Sequence, residues 1–332
     1  MRFFVASALE RSLVGFGGSI TYGTGATTPA TLGWYGLTTS YIQTSKTGVV
    51  LLNKSVNSGM GGTGSWWGLT RLAADVIAYA PDTVTLDWVV NDASDPIHNL
   101  TQEAAIRRLY AALPNVKLIA LLFGSSADNS QDVTTNVYSA QRDEMIAICN
   151  HYGIPYIDVY ARFKELVDAG TYHQSELYNG GVHPSDLGHS ITSQLVREAI
   201  TSLLVSGQQL AAVPERLAAC ADYEETPTIR NGIDNDGETG TGWATVNTTT
   251  RQSSTANDTI SWTGTFASWG LDANYGAGAG SLQYQMDGGD WTDCNLVTKE
   301  PRFEFWSGSR AAHTVVLKVV SGLVSIKRFL TV

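Results

Sequence analysis

The segment Gly17-Gly18-Ser19-Ile20-Thr21-Tyr22-Gly23 places a serine hydroxyl on a glycine-rich turn, and Gly180-Gly181-Val182-His183-Pro184 places an imidazole in a loop far downstream. A serine becomes a nucleophile when its hydroxyl is exposed and a neighbouring base takes its proton. The tetrahedral oxyanion that follows needs preorganised N–H donors. Asn57-Ser58-Gly59-Met60-Gly61-Gly62-Thr63-Gly64 offers a glycine amide for this, and Asn91, followed by Asp92, offers a side-chain amide. Each feature alone has a plain structural explanation, since serine is a common turn residue and a lone histidine more often packs or faces solvent. Four such signals in chain order at strand ends point to acyl transfer at a serine.

Such groups must be carried by strand ends. Between residues 12 and 205, short apolar or β-branched runs alternate with segments of helical period, the pattern of βαβ units and a parallel sheet. Strands are expected near 12–17, 48–53, 83–90, 116–123 and 154–159, and helices near 33–45, 66–79, 101–113, 133–152 and 186–204. Ser185 is placed to cap the last helix, with Pro114 and Pro155 at a helix exit and a strand entry. Ligands of open α/β sheets bind at the C-terminal edge of the strands, where Ser19 and Asn91 fall.

The texture changes after residue 205. Residues 207–222 suggest a linker or short capping helix, and from 223 onward period-2 stretches such as TISWTGTF, SLQYQMDGGDW and HTVVLKVVSG replace helical patterning. The Asp-Gly-Gly-Asp turn at 287–290 is a hairpin signal. The expected organisation is therefore an α/β domain over 1–206, a linker over 207–222 and a β-sandwich over 223–332. The second half carries Trp243, Trp262, Trp269, Trp291 and Trp306. Indole rings suit sugar faces, but a small sandwich also needs large side chains inside, so most of the five are expected in its core.

Over residues 12–205 the sequence resembles the SGNH (GDSL-type) hydrolases, whose motifs are a Gly-Asp-Ser turn, a glycine in a loop opened by asparagine, a Gly-x-Asn-Asp segment and Asp-x-x-His. The resemblance implies a three-layer α/β/α fold and hydrolysis of esters of lipids, acetylated sugars or thiols. It implies Ser19 as nucleophile, His183 as base, and an oxyanion hole from Gly62, the Asn91 side chain and the Ser19 N–H, with Asn57 as the loop asparagine. Two family carboxylates are missing, because Gly18 and Gly180 stand where aspartates are usual. The second normally holds the histidine tautomer and steadies the imidazolium; even Asp to Asn at that role costs about 10⁴ in rate in serine proteases. Three readings follow: a Ser19–His183 dyad whose ring is oriented by Asn179, Glu176 or the main chain at Gly180; a carboxylate supplied from elsewhere in the fold; or a non-catalytic relative. Asp186 is expected to favour the N-terminus of the last helix, and Asp92 to brace its own loop.

Composition narrows the partners. With 21 Lys and Arg against 31 Asp and Glu, a net charge of −10, the chain repels phosphate backbones and anionic lipid surfaces, so neither nucleic acid nor membrane is expected. The apolar runs are too short to span a bilayer. Cys149, Cys220 and Cys294 form no disulfide framework, no His, Cys, Asp or Glu spacing suggests a metal, and Gly23-Thr24-Gly25 lacks the ending of a phosphate loop. No cofactor is expected. The opening MRFFVASALERS shows no full apolar export signal, which leaves localisation open, outside a cell or on a virion included. The second half is similar to jelly-roll modules attached to carbohydrate-active SGNH esterases. Together these features lead us to expect a serine carboxylester hydrolase that removes acetyl groups from a polysaccharide or acetylated sugar, alone or as a homo-oligomer or part of a larger assembly. The alternatives are a lipase or thioesterase of the same fold and a degenerate polysaccharide-binding or phage-tail module.

Overall fold

The structure, a computed structural model, describes residues 9–44, 49–94, 98–124, 138–206, 213–217, 220–221, 224, 228–231, 237–239, 242–274, 278–294, 296 and 304–332. The chain divides into two compact units, Met1–Ala219 and Cys220–Val332. The division falls inside the expected linker.

The first unit begins with β1 (Leu9–Arg11), β2 (Leu13–Gly17), α1 (Ser19–Tyr22), α2 (Pro29–Leu32), α3 (Trp34–Thr44), β3 (Val49–Leu51) and β4 (Val56–Gly59). It continues through α4 (Ser65–Asp75), β5 (Thr83–Asp87), α5 (His98–Ala112), β6 (Lys117–Leu122) and α6 (Ser139–Tyr152). It closes with β7 (Tyr156–Asp158), α7 (Val159–Asp168), α8 (Gln174–Leu177) and α9 (Asp186–Ser206). Five strands form a parallel sheet in the order β4-β2-β5-β6-β7. The central strands β2 and β5 are buried at every position, as parallel strands covered on both faces must be. On one face Leu13, Ile119 and Leu121 pack with Trp34 and Ile42 of α3, Phe163 of α7 and Val196 and Ile200 of α9. On the other face α4 lies against β2, α6 against β6, and α5 between α4 and α6. The result is the expected three-layer α/β arrangement, and no helix among the described residues is long and apolar enough to cross a membrane.

The expected strand at 48–53 is not the main-sheet neighbour of β2. Val49–Leu51 pairs instead with Leu9–Arg11 in a separate two-stranded ladder, and Val56–Gly59 lies beside β2. Hydropathy favoured the Val-Val-Leu-Leu run, whereas the true neighbour is polar and satisfies its side chains locally: Ser58 Oγ donates to Asp75 O over 2.8 Å and Asn57 Nδ2 to Thr21 O over 2.8 Å. Asn57 therefore sits in a strand and not in the loop after one. The third strand also stops early, at Asp87, because the chain turns at Trp88, whose carbonyl accepts the N–H groups of Asn91 and Asp92. Helix α7 had no counterpart in the expectations, since it follows β7 without a loop; Asp158 caps it by accepting Ala161 N–H over 3.0 Å. Ser185 caps α9 as expected, its Oγ accepting Gly188 N–H over 3.1 Å. Of the helix expected over 133–152, residues 133–137 lie outside the described residues.

The second unit is an antiparallel sandwich of β8 (Thr228–Asn231), β9 (Gly237–Thr239), β10 (Ala244–Thr245), β11 (Arg251–Ser253), β12 (Thr259–Ala273), β13 (Ser281–Met286), β14 (Thr292–Cys294), β15 (Glu304–Ser321) and β16 (Val324–Thr331). Strand β12 pairs with β15 from Thr259 to Gly270, with register shifts after Phe266 and Trp269, and its end, Trp269–Ala273, pairs with β16. Bulges of this kind let one long strand bend. The core holds Trp243, Trp262 and Trp269, with Trp262 stacked on Phe329 at 4.6 Å between ring centroids. Trp291 lies at the surface, with Lys318 Nζ 4.0 Å from its ring centroid. The 287–290 turn joins β13 to β14, and Asp287 and Gly288 take positive φ of 51° and 76°, the handedness that a tight hairpin prefers. All three cysteines are buried, and none is joined in a disulfide.

Candidate active site

Strand β2 ends at Gly17, and the chain turns through Gly18 into α1, whose first residue is Ser19. Gly17 has no room for a side chain, since a methyl group there would lie 2.7 Å from Asp87 Cβ. A methyl group on Gly18 would lie 2.0 Å from Asn91 Nδ2. The position where the family usually carries aspartate is thus taken up here by the asparagine amide. Three side chains hold the turn. Asp87 Oδ2 accepts both the N–H and the hydroxyl of Thr21 (3.1 and 2.8 Å), Asn57 Nδ2 donates to Thr21 O, and Arg71 Nη2 donates to Gly17 O over 2.9 Å. Burial pushes the Asp87 carboxyl up to about 7 against the pull of the two Thr21 donors.

Ser19 Oγ lies 2.9 Å from His183 Nε2. The imidazole is half-buried, and desolvation lowers its pKa, which favours the neutral ring that a general base requires. Its loop is tight: His183 N–H donates to Gly180 O, Asn179 N–H to His183 O, and Ser185 N–H to Leu177 O. The groups expected to orient the ring are engaged elsewhere. Asn179 Nδ2 donates to Gly25 O over 2.9 Å, Glu176 accepts His173 N–H in the cap of α8, and the Gly180 carbonyl takes the backbone N–H of His183, not its ring. No described residue bonds to His183 Nδ1. The reason is geometric: Gly180 sits at φ 79° and brings no side chain, and the neighbouring polar groups satisfy nearer partners.

On the opposite side of Ser19 runs the glycine loop. A methyl group on Gly61 would lie 3.8 Å from Ser19 Cβ, and Gly62 takes φ 69°. The loop is fastened by Met60 N–H to Gly17 O, by Thr63 Oγ to Met60 O and by Asn91 Nδ2 to Thr63 O over 3.1 Å. That bond uses one of the two amide hydrogens of Asn91. Asp92 braces the segment as expected: its buried carboxylate accepts Ser65 N–H at the start of α4 and Gln102 Nε2, both at 2.7 Å. Asp186 opens α9 and also accepts the N–H and hydroxyl of Thr27. Among the described residues no group of three or more His, Cys, Asp or Glu could hold a metal ion.

The structure thus gathers Ser19, His183, the Gly61–Gly62 turn and Asn91 at one sheet edge. Asp87 and Arg71 join this site without having been expected there. Their signals were a carboxylate closing a fully buried strand and a guanidinium within the largely buried α4.

Residues 16–191 match the GDSL-like Lipase/Acylhydrolase family, a stretch that covers more than half of the chain and contains Ser19, Gly62, Asn91 and His183. The chain belongs to this family. The matched stretch contains both the Ser19 turn and the His183 loop, which meet at one edge of the sheet. No curated protein matches the sequence. Among solved structures, a two-domain esterase active on acetylated mannans superposes with a TM-score of 0.79 at 17% identity, covering 97% of this chain and 91% of its own. The same type of esterase co-crystallized with mannopentaose gives 0.78 at 17% identity, with 97% and 90% covered. Axe2, an acetylxylan esterase from Geobacillus stearothermophilus, gives 0.46 at 22% identity, with 59% of this chain and 94% of its own covered. At these identities the likeness is one of fold, and for the two-domain esterase it extends over both units.

Proposed function

We propose that this family member is a serine carboxylester hydrolase that removes acetyl groups from a polysaccharide. The observation that carries the reading is the 2.9 Å separation of Ser19 Oγ and His183 Nε2. In the first step the Ser19 oxygen forms a bond to the acetyl carbonyl carbon as its proton passes to His183 Nε2. The negative charge on the carbonyl oxygen is held by the Gly62 and Ser19 N–H groups and by the free amide hydrogen of Asn91. Collapse of the tetrahedral species breaks the ester C–O bond, and His183 returns the proton to the departing sugar oxygen. Water, deprotonated by the same imidazole, then attacks the acetyl-serine and releases acetate and free Ser19.

With no carboxylate on Nδ1 among the described residues, the imidazolium forms with less electrostatic support than in a full triad. The polysaccharide part of the reading draws on the two-unit fold shared with an esterase described as active on acetylated mannans. The second unit would then be a polymer-binding module.

The test compares acetyl with octanoyl esters, acetylated polysaccharide included, in wild type and Ser19→Ala. Acetyl turnover that exceeds octanoyl turnover and vanishes in Ser19→Ala supports the proposal. Faster octanoyl turnover would replace it with a lipase or thioesterase. Absence of both turnover and labelling by a serine-reactive fluorophosphonate would leave a binding module.

A further inference from the structure

The inference here rests on the reading of Ser19 and His183 as the reacting pair. We propose that the strap Thr24–Thr27, fastened by Asp186 and its neighbours, positions the base in place of the missing carboxylate. The strap begins at the nucleophile: Gly23 and Thr24 both donate their N–H to Ser19 O, so its first residue is bonded to Ser19 itself. It then runs along the loop that carries His183 and is tied to residues on both sides of it. Ahead of the histidine, Asn179 Nδ2 donates to Gly25 O over 2.9 Å. Behind it, Asp186 accepts Thr27 N–H and Thr27 Oγ, each at 2.7 Å. Further along α9, buried His189 donates from Nε2 to Thr24 O over 3.1 Å, and its Nδ1 accepts Trp34 N–H, which fixes the tautomer.

Between these fastenings the two segments touch directly. A methyl group on Gly25 would lie 2.2 Å from Pro184 O and 2.9 Å from His183 Cβ, and Gly25 adopts φ 99°, so only glycine lets the strap lie this close. The two Thr27 donors hold the Asp186 carboxyl below its usual range, so the fastening is charge-assisted at neutral pH. In a complete triad an acid on Nδ1 aims the ring. Here the loop is aimed from its backbone, through a segment whose other end is the Ser19 carbonyl. Asp186 and Thr27 are therefore positioning residues: their hydrogen bonds join them to each other and not to Ser19 Oγ or the His183 ring, and they set the Ser19–His183 distance.

The experiment measures kcat and KM for an acetyl ester, and the rate of fluorophosphonate labelling, in the full chain bearing Asp186→Ala, Asp186→Asn, Thr27→Val and Asp186→Ala with Thr27→Val. A displacement of reacting groups by about 1 Å costs up to roughly 100-fold, so Asp186→Ala is expected to lose about ten- to 100-fold in kcat with KM within about twofold. Labelling should slow in parallel. Thr27→Val keeps its backbone bond and should lose less, and Asp186→Asn, which keeps an acceptor for that N–H, should retain most of the rate. The double variant should be no slower than Asp186→Ala, because both changes break one contact. The proposal is overturned if Asp186→Ala and Thr27→Val each keep kcat within twofold of wild type, if their losses multiply in the double variant, or if KM rises in place of a fall in kcat. Should Asp186→Ala fail to fold, as judged by circular dichroism, Thr27→Val decides alone. A wild type without turnover or Ser19-dependent labelling would instead sink the hydrolase reading itself.

Discussion

Arg71 Nη2 donates to the carbonyl oxygen of Gly17 over 2.9 Å, two residues ahead of Ser19. The same carbonyl accepts Met60 N–H from the glycine loop at 3.0 Å. Arg71 Nη1 reaches Ser58 O at 2.6 Å and Asp75 at 2.9 Å, and the guanidinium lies 4.3 Å from the centroid of the Phe16 ring. One nearly buried cation from α4 therefore joins the ends of β2 and β4, which carry the nucleophile turn and the oxyanion loop.

Replacing this cation leaves buried carbonyls with fewer donors. Arg71→Met is expected to cost about 2–4 kcal/mol in denaturant unfolding of the first unit, the range for a broken buried charge-assisted contact. It should also lower kcat more than it raises KM. Loss of less than about 0.5 kcal/mol, the scatter of ordinary surface changes, would show that the clamp carries no load.

The pH dependence follows from His183. Burial disfavours the charged ring, so kcat/KM should fall on acidification with a midpoint below the ~6.5 of a free imidazole. Gly180→Asp offers a sharper check. A Cβ at Gly180 would meet nothing within 4 Å, and aspartate tolerates a φ of 79° better than most residues. A carboxylate that reaches Nδ1 should move the acid limb upward and raise kcat about tenfold or more, short of the ~10⁴ attached to that role in serine proteases. An unmoved limb with unchanged kcat would mean that position 180 does not address the ring.

Asp87 predicts a stability effect of opposite sign to acid denaturation. Its folded pKa stands at about 7, above the unfolded value of ~3.9, so the folded state holds the extra proton between them. Its contribution is complete below the unfolded value and is lost as pH rises toward 7. Asp87→Asn cannot ionise and keeps an acceptor for Thr21. Relative to wild type it should gain at least ~1 kcal/mol between about pH 4 and pH 8 in urea unfolding, since one pKa unit corresponds to ~1.4 kcal/mol. A pH-independent difference would contradict this.

In the second unit, Trp262 is fully buried and stacked on Phe329. Trp262→Ala should destabilise that unit by about 3–5 kcal/mol, seen as an earlier transition in denaturant unfolding followed by circular dichroism. A change under about 1 kcal/mol would mean that the cavity closes by repacking.

Some of this protein was legible without coordinates because the relevant physics is local. Alternation of apolar runs with helical periods marked a parallel α/β sheet, and its loss after residue 205 marked the antiparallel half. Turn chemistry at 287–290 announced the hairpin, Ser185 announced the start of α9, and residue type together with glycine-rich or strand-end surroundings made Ser19, Asn91 and His183 candidates. Each of these depends on neighbours a few residues apart. The partner of β2 was not legible, because Val56–Gly59 satisfies its polar side chains through Thr21 and Asp75 and carries little apolar signal.

What packs around His183 was decided only in three dimensions. Asn179 had the right type and position to orient the ring, yet its amide finds Gly25 first, and Asp186, which looked like a helix-capping charge, reaches Thr27. Asp87 and Arg71 gain their roles only where β2, β5 and α4 meet. A buried polar group takes whichever partner the fold brings within hydrogen-bond range, and for residues far apart in the chain that choice belongs to the packing of the whole domain.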